Sequence, residues 1–588
     1  MVTRTVVRGA LAWVLVAAVL RAVVLLPEQC PPVTPDDLRA AASEAVGWFE
    51  RNQRPDGRWL YRYDADAGRD LGGYNLTRHG GVTMSLYQAA AAGHDAALGV
   101  ADAGAAWALD HLVEVRDGLA FGPEGEIVPV GATGLLVAGL AERRALTGDH
   151  RHDEDLRAMG RFLAAMVRPD GSVVAYWHLT GDRPASEDPS PFFTGEVYWA
   201  LALLHRELPD EGWDAVADRV GRYLATARDD AEGWFPDISD HWAAYGLATQ
   251  AAWPEPSAVD ADLVAYAHRQ AGLAGFQVRW ESQRTGSALN ELVRGGQTLG
   301  AGLGTLGEQL AGLWRLAASR PDLAGLQAPL AERAECVAGL LVERQVSADE
   351  ADGAPEPDRT RGAWLQRGIT QMDDQQHALS AVLLAEPIVA SQPVQVDEPW
   401  GAEEPAVLLL AALVLALDPV RAARAAAALG PGGRRRALAT GTAAATVVAA
   451  LAAAAAGPLL ERLDVSAPTL RIGAGLVLLV TALVDLARPR AGADAPDAAA
   501  WARGVVPVGL PTMLRPAAVV VAGSAGTGLG VLPVAGAALA AGLVAALVGP
   551  LAARPEGRAG VERWVLGLVA AVLAVLAVAL AVDGVYDV

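Results

Sequence analysis

The chain has 588 residues, more than one ordinary domain needs, with 68 acidic and 47 basic side chains and a formal net charge of −21 at pH 7. The acidic excess lies between positions 27 and 400. So acidic a segment repels the phosphates of nucleic acid, which excludes nucleic-acid binding as its function.

Two further features of the composition limit the class of protein. All 47 basic side chains are arginine, a usage typical of a GC-rich bacterium, and the lack of lysine excludes Schiff-base enzymes and P-loop nucleotide binding. The two cysteines, Cys30 and Cys336, are too few for a disulfide scaffold or a cysteine-rich zinc site. They leave room for one long-range disulfide in an oxidising compartment.

The first apolar segment lies near the N-terminus. Residues 9–26 are mostly apolar and approach the ~20 residues that a helix needs to cross a bilayer. Because Arg4 and Arg8 precede this segment, the positive-inside rule predicts residues 1–8 in the cytoplasm and residue 27 onward outside it. No small-residue cleavage site follows, which favours an uncleaved transmembrane anchor over a signal peptide.

Residues 27–390 contain an internal repeat. A glycine turn recurs at intervals of about 60 residues, the length of two helices with their loops. The turn glycines are Gly57, Gly118, Gly171, Gly233, Gly295 and Gly362. Apolar residues between the turns follow a helical spacing, without sustained β alternation. The segment is therefore predicted to be all-α, an (α/α)6 toroid of six stacked hairpins.

This pattern resembles the six-hairpin (α/α)6 superfamily, which includes glycoside hydrolases, sugar epimerases and terpene cyclases. Tryptophans beside the glycine turns, at Trp59, Trp234 and Trp364, contribute to the resemblance. The resemblance implies a central cavity into which the inner helices direct one set of ends, but a fold alone does not define a reaction.

The candidate site residues stand where the inner helices begin, just after the repeat turns. The predicted catalytic residues are His79, Glu196, Asp240, His241, Asp374 and His377, and the predicted ligand-binding residues of this domain are Tyr74, Asn75, Arg78, Trp199, Trp242 and Tyr245. The aromatic members suit stacking on a sugar ring or packing against a lipid chain.

The chemistry expected of these residues is acid–base catalysis. Glycoside cleavage uses two carboxyls and epimerisation uses two acid–base groups beside one carbon, which Glu196 with Asp240, Asp374 or a histidine would supply. The alternative for Glu196 is a structural ion pair with Arg78 or Arg294. No compact ligand spacing such as H-E-x-x-H occurs, so neither a metal nor another cofactor is expected.

A second apolar zone, residues 405–588, follows a proline-rich linker at 391–404. It is predicted to contain six spans, at about 405–423, 438–456, 471–486, 504–522, 530–552 and 564–582. Alternate loops are rich in arginine, as cytoplasmic loops are, and this alternation agrees with the orientation of the N-terminal anchor. The chain is therefore predicted to be a multi-pass inner-membrane protein with residues 27–404 extracytoplasmic.

Two stretches of this zone carry a second resemblance. Residues 466–476, SAPTLRIGAGL, and residues 504–511, GVVPVGLP, are similar to stretches of the MarC family of integral membrane proteins. The resemblance covers roughly residues 405–588 and implies a transporter fold. The chain departs from the family pattern in the first span, where the family's Asn-Pro is replaced by Asp418-Pro419.

The six spans divide into two halves of three, each beginning with a span that proline interrupts. Pro419 interrupts the first span of one half, and Pro507, Pro511 and Pro516 interrupt the first span of the other. Inverted halves with broken helices at matching places are typical of transporters. Asp418 and Arg515 fall at similar depths, so they are predicted to face each other and to pair or bind a solute.

Three hypotheses about function follow. The first is an extracytoplasmic hydrolase- or epimerase-like toroid, acting on a glycan, glycolipid or small molecule and fused to a MarC-like transport domain in the lipid bilayer. The second is a transport protein whose toroid only captures a ligand, and the third is a cell-envelope scaffold. A pocket that unites Glu196 with a second acid or a histidine would favour the enzyme, whereas a filled toroid centre would favour the scaffold.

Overall fold

The computed structural model describes residues 14–188, 190–232, 240–254, 260–298, 301–391, 406–427, 429–487, 513, 515–552 and 559–587. The chain divides into two compact units. The first comprises residues 29–400, and the second comprises residues 1–28 with residues 401–587. The predicted linker at 391–404 lies outside the described residues except for Ser391.

Long helices make up most of the first unit. In the part that the structure describes they are α1 (Pro35–Arg51), α2 (Leu76–Ala91), α3 (Ala96–Leu109), α4 (Val130–Thr147), α5 (Asp153–Met166), α6 (Phe193–Glu207), α7 (Trp213–Thr226), α8 (His241–Ala251), α9 (Asp260–Ser282), α10 (Ala301–Ser319), α11 (Gln327–Arg344) and α12 (Met372–Ala390). Several begin at side-chain caps, as α1 does at Thr34 and α2 does at Asn75.

The helices form two concentric layers. The even-numbered helices α2, α4, α6, α8, α10 and α12 each pack against the next, and α12 returns to α2, so these six close an inner ring. The odd-numbered helices α1, α3, α5, α7, α9 and α11 pack around them. The first unit is therefore an (α/α)6 toroid, and the predicted fold class is confirmed.

The repeat glycines have a common structural reason. Gly57, Gly171 and Gly362 adopt φ values of 92°, 93° and 77°, a region that favours glycine. A Cβ atom at each position would collide with a backbone carbonyl oxygen of an outer helix, on α3, α7 and α1 respectively. These three glycines therefore let their turns lie directly against an outer helix. A Cβ atom at Gly295 would meet only the Arg284 side chain, and Gly233 lies outside the described residues.

Short elements connect the long helices. The strands are β1 (Arg62–Asp64), β2 (Arg69–Asp70), β3 (Leu112–Val115), β4 (Gly118–Phe121), β5 (Ile127–Pro129), β6 (Tyr176–His178), β7 (Arg183–Pro184) and β8 (Ile369–Gln371), and the short helices are Arg228–Glu232, Ala288–Arg294, Pro321–Leu326, Ala348–Ala351 and Pro357–Thr360. The strands pair antiparallel in the orders β2-β1-β8, β3-β4 and β5-β6-β7. β5 and β8 lead directly into α4 and α12, so these sheets hold the N-terminal ends of two inner helices.

One disulfide closes the toroid unit. Cys30 and Cys336 are bonded to each other, and 306 positions separate them in the sequence. Cys336 lies on α11, while Cys30 precedes α1, so the bond ties the start of the unit to its last outer helix. The two cysteines thus form the long-range disulfide for which the sequence left room.

Apolar helices make up the second unit. The described ones are α13 (Ala406–Ala416), α14 (Pro419–Ala427), α15 (Gly430–Leu463), α16 (Ala467–Ala487), α17 (Pro516–Leu529), α18 (Val531–Ala552) and α19 (Ala559–Tyr586), with a shorter apolar helix over Val14–Val24. Five apolar stretches of the described residues are long enough to span a membrane: Ala406–Ala427, Gly432–Leu463, Ala467–Ala487, Val531–Val548 and Trp564–Tyr586. The second unit therefore fits a membrane domain.

These five stretches match five of the six predicted C-terminal spans in position. The remaining predicted span, 504–522, lies mostly outside the described residues, and its described end belongs to the shorter apolar helix α17. The predicted anchor at 9–26 is described only from residue 14. The break expected in the first span is present, because Asp418 has a φ of 49° and separates α13 from α14.

Candidate functional site

A cavity of about 360 Å³ opens at the N-terminal ends of the six inner helices of the toroid. Every inner helix contributes lining, either directly or through the residue that precedes it. Among the lining residues are Asn75, Arg78, Pro129, Tyr176, Phe193, Glu196, His241, Trp242, Thr305, Asp373 and His377. The structure therefore brings six of the predicted site residues into one open cavity: Asn75, Arg78, Glu196, His241, Trp242 and His377.

Glu196 lies in the first turn of α6 and is buried. Gly131 of α4 makes room for it, since a Cβ atom there would collide with the Glu196 carboxyl. Its Oε2 atom has no hydrogen-bond partner among the described residues, and Arg78 is instead 3.3 Å from Asp373. Burial, reinforced by the charge of Asp373, raises the pKa of Glu196 to about 8, so the group is a neutral carboxylic acid at pH 7.

Two imidazoles at the floor of the cavity, His241 and His377, lie against a buried carboxyl that does not itself line the cavity. Glu308 of α10 is completely buried, and its Oε2 atom lies 2.6 Å from Nδ1 of His377 and 3.8 Å from Nε2 of His241. Its other oxygen, Oε1, accepts a hydrogen bond of 3.0 Å from the hydroxyl of Tyr245. The Glu308 carboxyl is thus held through both oxygens: Oε1 by the Tyr245 hydroxyl, and Oε2 on the side of the two histidines.

Burial and charge shift the pKa values of His377 and Glu308. Burial alone lowers the pKa of His377, but the Glu308 carboxylate, with Asp373 and Asp374, raises it to a net value above the ordinary one. Burial also raises the pKa of Glu308. A carboxylate only accepts hydrogen bonds, so Nδ1 of His377 is the donor to Glu308 when Glu308 is charged.

The adjacent acids at the start of α12 have different surroundings. Asp373 lines the cavity and forms a salt bridge with Arg78 at 3.3 Å. Asp374 turns away and accepts a hydrogen bond of 3.1 Å from the backbone N–H of Ala301. Burial raises the pKa of Asp374 to about 6. Asp373, which was not among the predicted site residues, is therefore the cavity acid of this pair.

The other predicted site residues lie outside the lining. His79 is buried between the Tyr74 hydroxyl at 2.7 Å and the Gly104 carbonyl oxygen at 2.9 Å, and burial lowers its pKa to about 3. Asp240 caps α8 by accepting from the N–H of Ala243 at 2.9 Å, and it also contacts Arg228.

A second cavity, of about 620 Å³, lies at the opposite ends of the inner helices. Trp199 and Tyr245, both predicted as ligand-binding residues, contribute to its lining. Their rings stack with centroids 4.5 Å apart, and Trp242 continues the stack toward the first cavity at 5.7 Å from Trp199. The predicted aromatic residues thus form a column inside the ring.

His241, Glu308 and His377 are also the described residues best placed to hold a metal ion. One ligand atom from each lies within 4.8 Å of the others, and all three residues are buried. Two imidazoles and one carboxylate are a common ligand set for zinc or ferrous iron. The 2.6 Å contact between Glu308 and His377 is, however, the length of a hydrogen bond with a proton in it.

The second unit contains a separate charged cluster, which we call the ionic ring: Asp418, Arg421, Asp485 and Arg515. Arg515 lies 2.9 Å from Asp418 and 2.7 Å from Asp485, while Arg421 lies 3.2 Å from Asp418 and 2.9 Å from Asp485. The predicted contact between Asp418 and Arg515 is confirmed. Arg421 and Asp485 were missed, although Asp485 stands at the end of an apolar helix, where a lone acid is unusual.

No family model matches the chain, and no curated protein matches it. Solved structures similar to it include a cellobiose 2-epimerase from Spirochaeta thermophila (16% identity, 60% of this chain and 97% of that chain, TM-score 0.42). A mannosidase of glycoside hydrolase family 76 from Bacteroides thetaiotaomicron shares 12% identity (60% and 98%, TM-score 0.40), and a type II terpene cyclase from Scytonema shares 13% (60% and 98%, TM-score 0.38).

Proposed function

We propose that the toroid is an acid–base enzyme that moves a proton at a carbon atom of a sugar, as an epimerase or an aldose–ketose isomerase does. The observation that carries this proposal is the His377–Glu308 pair beside His241, in a cavity that also holds the neutral carboxyl of Glu196. Such a cavity offers both a base and an acid at pH 7, which is what proton transfer next to a carbonyl requires.

The proposed reaction begins with an open-chain sugar whose carbonyl oxygen accepts a proton from Glu196. Because Nδ1 of His377 donates to Glu308, Nε2 is its basic atom. Nε2 takes the proton of the carbon beside the carbonyl, the C–H electron pair forms a carbon–carbon double bond, and an enediol results. If His241 then gives a proton to the opposite face of the same carbon, the product is an epimer. If His377 instead returns its proton to the neighbouring carbon, the product is an isomer. In both cases Glu196 recovers its proton from an enediol hydroxyl.

Hydrolysis of a glycosidic bond is the second candidate, and one observation favours it. Glu196 is a neutral carboxylic acid, and Asp373, which forms a salt bridge with Arg78, lines the same cavity. A carboxylic acid beside a carboxylate is the pair that glycosidases use. In this reaction Glu196 would protonate the leaving oxygen, and Asp373 would activate water or attack the sugar.

The experiment that separates these reactions uses the purified full-length chain in heavy water. It is incubated with D-mannose and with cellobiose, each of which has a hydrogen beside its anomeric carbon. Proton transfer replaces that hydrogen with deuterium, which removes a proton NMR signal, whereas hydrolysis of cellobiose releases glucose and leaves carbon-bound hydrogens in place. We expect deuterium incorporation, together with an epimer or ketose product. Release of glucose without incorporation would favour hydrolysis, and no change in either sugar would leave the toroid as a ligand-capture domain.

We further propose that the chain is a multi-pass inner-membrane protein, with the toroid outside the cytoplasm and a MarC-like transport domain at its C-terminus. Two observations support the location: the arginine-rich alternate loops, and the Cys30–Cys336 disulfide, since disulfides persist in oxidising compartments. The ionic ring at the helix break supports a transport role, because charges inside apolar helices usually mark a solute or ion path. Reporter fusions at residue 391 and at residue 490 test the topology, and activity on the same side of the membrane at both would contradict it.

A further inference from the structure

The short helix Ala288–Arg294 exposes its apolar side chains and buries polar ones. Leu289 and Leu292 are 74% and 82% exposed, whereas Asn290 and Arg294 are buried. Successive residues of a helix are rotated by about 100°, so the apolar side chains share one face. That face consists of Ala288, Leu289, Leu292 and Val293. A surface helix of a soluble domain has the reverse arrangement, while a helix in a membrane interface turns its apolar face to the lipid.

Polar contacts hold the helix in this orientation. The Asn290 amide nitrogen donates to the carbonyl oxygen of Gln283 at 2.9 Å, and the amide oxygen accepts from the N–H of Thr285 at 3.0 Å. The Arg294 guanidinium lies over the ring of Trp280, 4.1 Å from its centroid. Both polar side chains therefore attach the helix to the C-terminal end of α9, and the leucines point away from it.

The short helix lies near the place where the chain leaves its N-terminal apolar segment. The predicted anchor ends at residue 26, and the backbone N–H of Gln29 donates to the carbonyl oxygen of Ser282 at 2.9 Å. Three residues span at most about 11 Å, so Ser282 lies close to the end of that segment. Because Asn290 is bonded to Gln283, which follows Ser282, the exposed leucines belong to the same region of the toroid.

Two further features distinguish this region. Gly295, which follows the helix, does not lie against an outer helix, since a Cβ atom there would meet only the Arg284 side chain. Residues 282–298 contain two arginines, Arg284 and Arg294, and one acid, Glu291, which gives a net charge of +1 in an otherwise acidic unit. A bilayer that contains anionic lipids attracts such a segment.

We propose that the apolar face of Ala288–Arg294 inserts into the surface of the lipid bilayer beside the N-terminal anchor and so docks the toroid on the membrane. The proposal rests on the proposed membrane location, and it goes beyond it by naming the part of the toroid that touches lipid. The short helix precedes α10, whose first turns line the first cavity. The docked surface therefore lies at the end of the toroid where that cavity opens.

The test uses the full-length chain in vesicles of phosphatidylethanolamine and phosphatidylglycerol that contain a phosphatidylcholine with a nitroxide near the top of its acyl chain. A thiol-reactive fluorophore is attached to Leu292→Cys or to Leu289→Cys. The native cysteines are bonded to each other and do not react with it. The matched control is Leu146→Cys, which replaces a leucine that is 40% exposed at the C-terminal end of α4, the opposite end of the toroid.

We expect the nitroxide lipid to quench the label of Leu292→Cys and Leu289→Cys at least severalfold more strongly than that of Leu146→Cys. Iodide, present on both sides of the vesicles, should show the opposite order. Equal quenching by iodide in all three variants would overturn the proposal, because the short helix would then face water.

Protection of the Leu292→Cys label from both quenchers would also overturn the proposal, by showing that protein rather than lipid covers the leucines. Flotation of the unlabelled wild type with the vesicles tests the proposed membrane location separately. If the wild type does not float, that location fails and the lipid contact fails with it. If it floats and the nitroxide lipid does not quench the label, the lipid contact alone is refuted.

Discussion

Nδ1 of His377 lies 2.6 Å from Oε2 of Glu308. The two residues lie on different inner helices and are 69 positions apart in the sequence. The carboxyl is completely buried, and the imidazole is nearly so, at 9% side-chain exposure. A buried carboxylate is costly unless it is paired, so each group stabilises the charged form of the other. The pair fixes which nitrogen of His377 faces the cavity, and this orientation is the basis of the first prediction.

Replacing Glu308 by glutamine should abolish most of the proton transfer. Glutamine keeps the size of the side chain and still accepts hydrogen bonds, but it cannot share a proton with His377. Because positioned acid–base groups contribute about 10²- to 10⁴-fold to rate, we expect turnover to fall at least about 100-fold. Deuterium incorporation per unit time measures it, with Glu281→Gln, a toroid acid that pairs with Arg284 and does not line the cavity, as the control. Wild-type turnover in Glu308→Gln would contradict the proposed role of the pair.

Glu196 should make both activity and stability depend on pH. As a proton donor with a pKa of about 8, it is active below that pH, so turnover should decline as the pH rises above about 8. Its pKa is higher in the folded chain than in the unfolded chain. Its contribution to stability is therefore complete below the ordinary value of 4.5 and is lost progressively as the pH rises toward about 8.

The variant Glu196→Gln isolates this effect, because glutamine has a similar shape and does not ionise. The shift corresponds to on the order of 5 kcal/mol between the two ends of that pH range. We expect the melting temperature of the wild type to fall between pH 5 and pH 9 relative to that of Glu196→Gln. Parallel melting curves for the two proteins across this range would show that Glu196 is not held neutral in the fold.

The toroid could be predicted from the sequence because single glycines mark its repeat. Gly57, Gly171 and Gly362 each lie against a carbonyl group of an outer helix, so no other residue fits and the period survives in the sequence. The short strands were not predicted, because two to four residues give too little alternation to distinguish them from turns.

The candidate site was predicted in part, and the physical reasons differ between residues. Glu196 stood out as an acid inside an apolar helix, and Glu308 has the same property but was overlooked. The sequence could not tell that Asp373 rather than Asp374 lines the cavity, since both lie in the first turn of the same helix and a rotation of about 100° about its axis decides between them. His79 lies in the first turn of an inner helix, yet Trp59 and Trp107 of its own repeat enclose it.

Chelators should leave the toroid's activity unchanged. Although His241, Glu308 and His377 form a ligand set for a divalent metal, the short contact between Glu308 and His377 retains a proton that a metal would have to displace. We expect dialysis against a strong chelator to alter neither turnover nor melting temperature. Elemental analysis of the untreated protein provides the independent measurement. About one tightly bound zinc or iron per chain, with activity lost on its removal, would contradict the imidazole acid–base mechanism.

Reduction of the Cys30–Cys336 disulfide should destabilise the toroid. The bond joins positions far apart in the chain, and removal of a native disulfide typically costs about 2–5 kcal/mol. We expect a reducing agent to lower the melting temperature of the wild type toward that of the double variant Cys30→Ser/Cys336→Ser. The double variant should not respond to the reducing agent, which separates the disulfide from other effects of the reagent. Equal melting temperatures for both proteins before reduction would show that the bond contributes nothing.

Removing one charge of the ionic ring should destabilise the second unit, and removing its partner of opposite sign as well should restore part of the lost stability. Arg515→Gln leaves Asp418 and Asp485 with one arginine between them, and an uncompensated buried charge typically costs about 3–5 kcal/mol. Adding Asp418→Asn restores neutrality, because Arg421 and Asp485 remain paired at 2.9 Å. Asparagine can also keep the hydrogen bond that Asp418 accepts from the backbone N–H of Arg421.

We therefore expect the double variant Asp418→Asn/Arg515→Gln to melt, in detergent, at a higher temperature than the single variant Arg515→Gln. Arg462→Gln, which removes an exposed arginine of the same unit, is the control and should melt as the wild type does. If the two substitutions instead add their separate costs, Asp418 and Arg515 do not act as a pair. If the double variant melts above Arg515→Gln but below the wild type, the four charges stabilise the unit together. Each charge of the complete ring has two partners of opposite sign, and the double variant leaves Arg421 and Asp485 with one each.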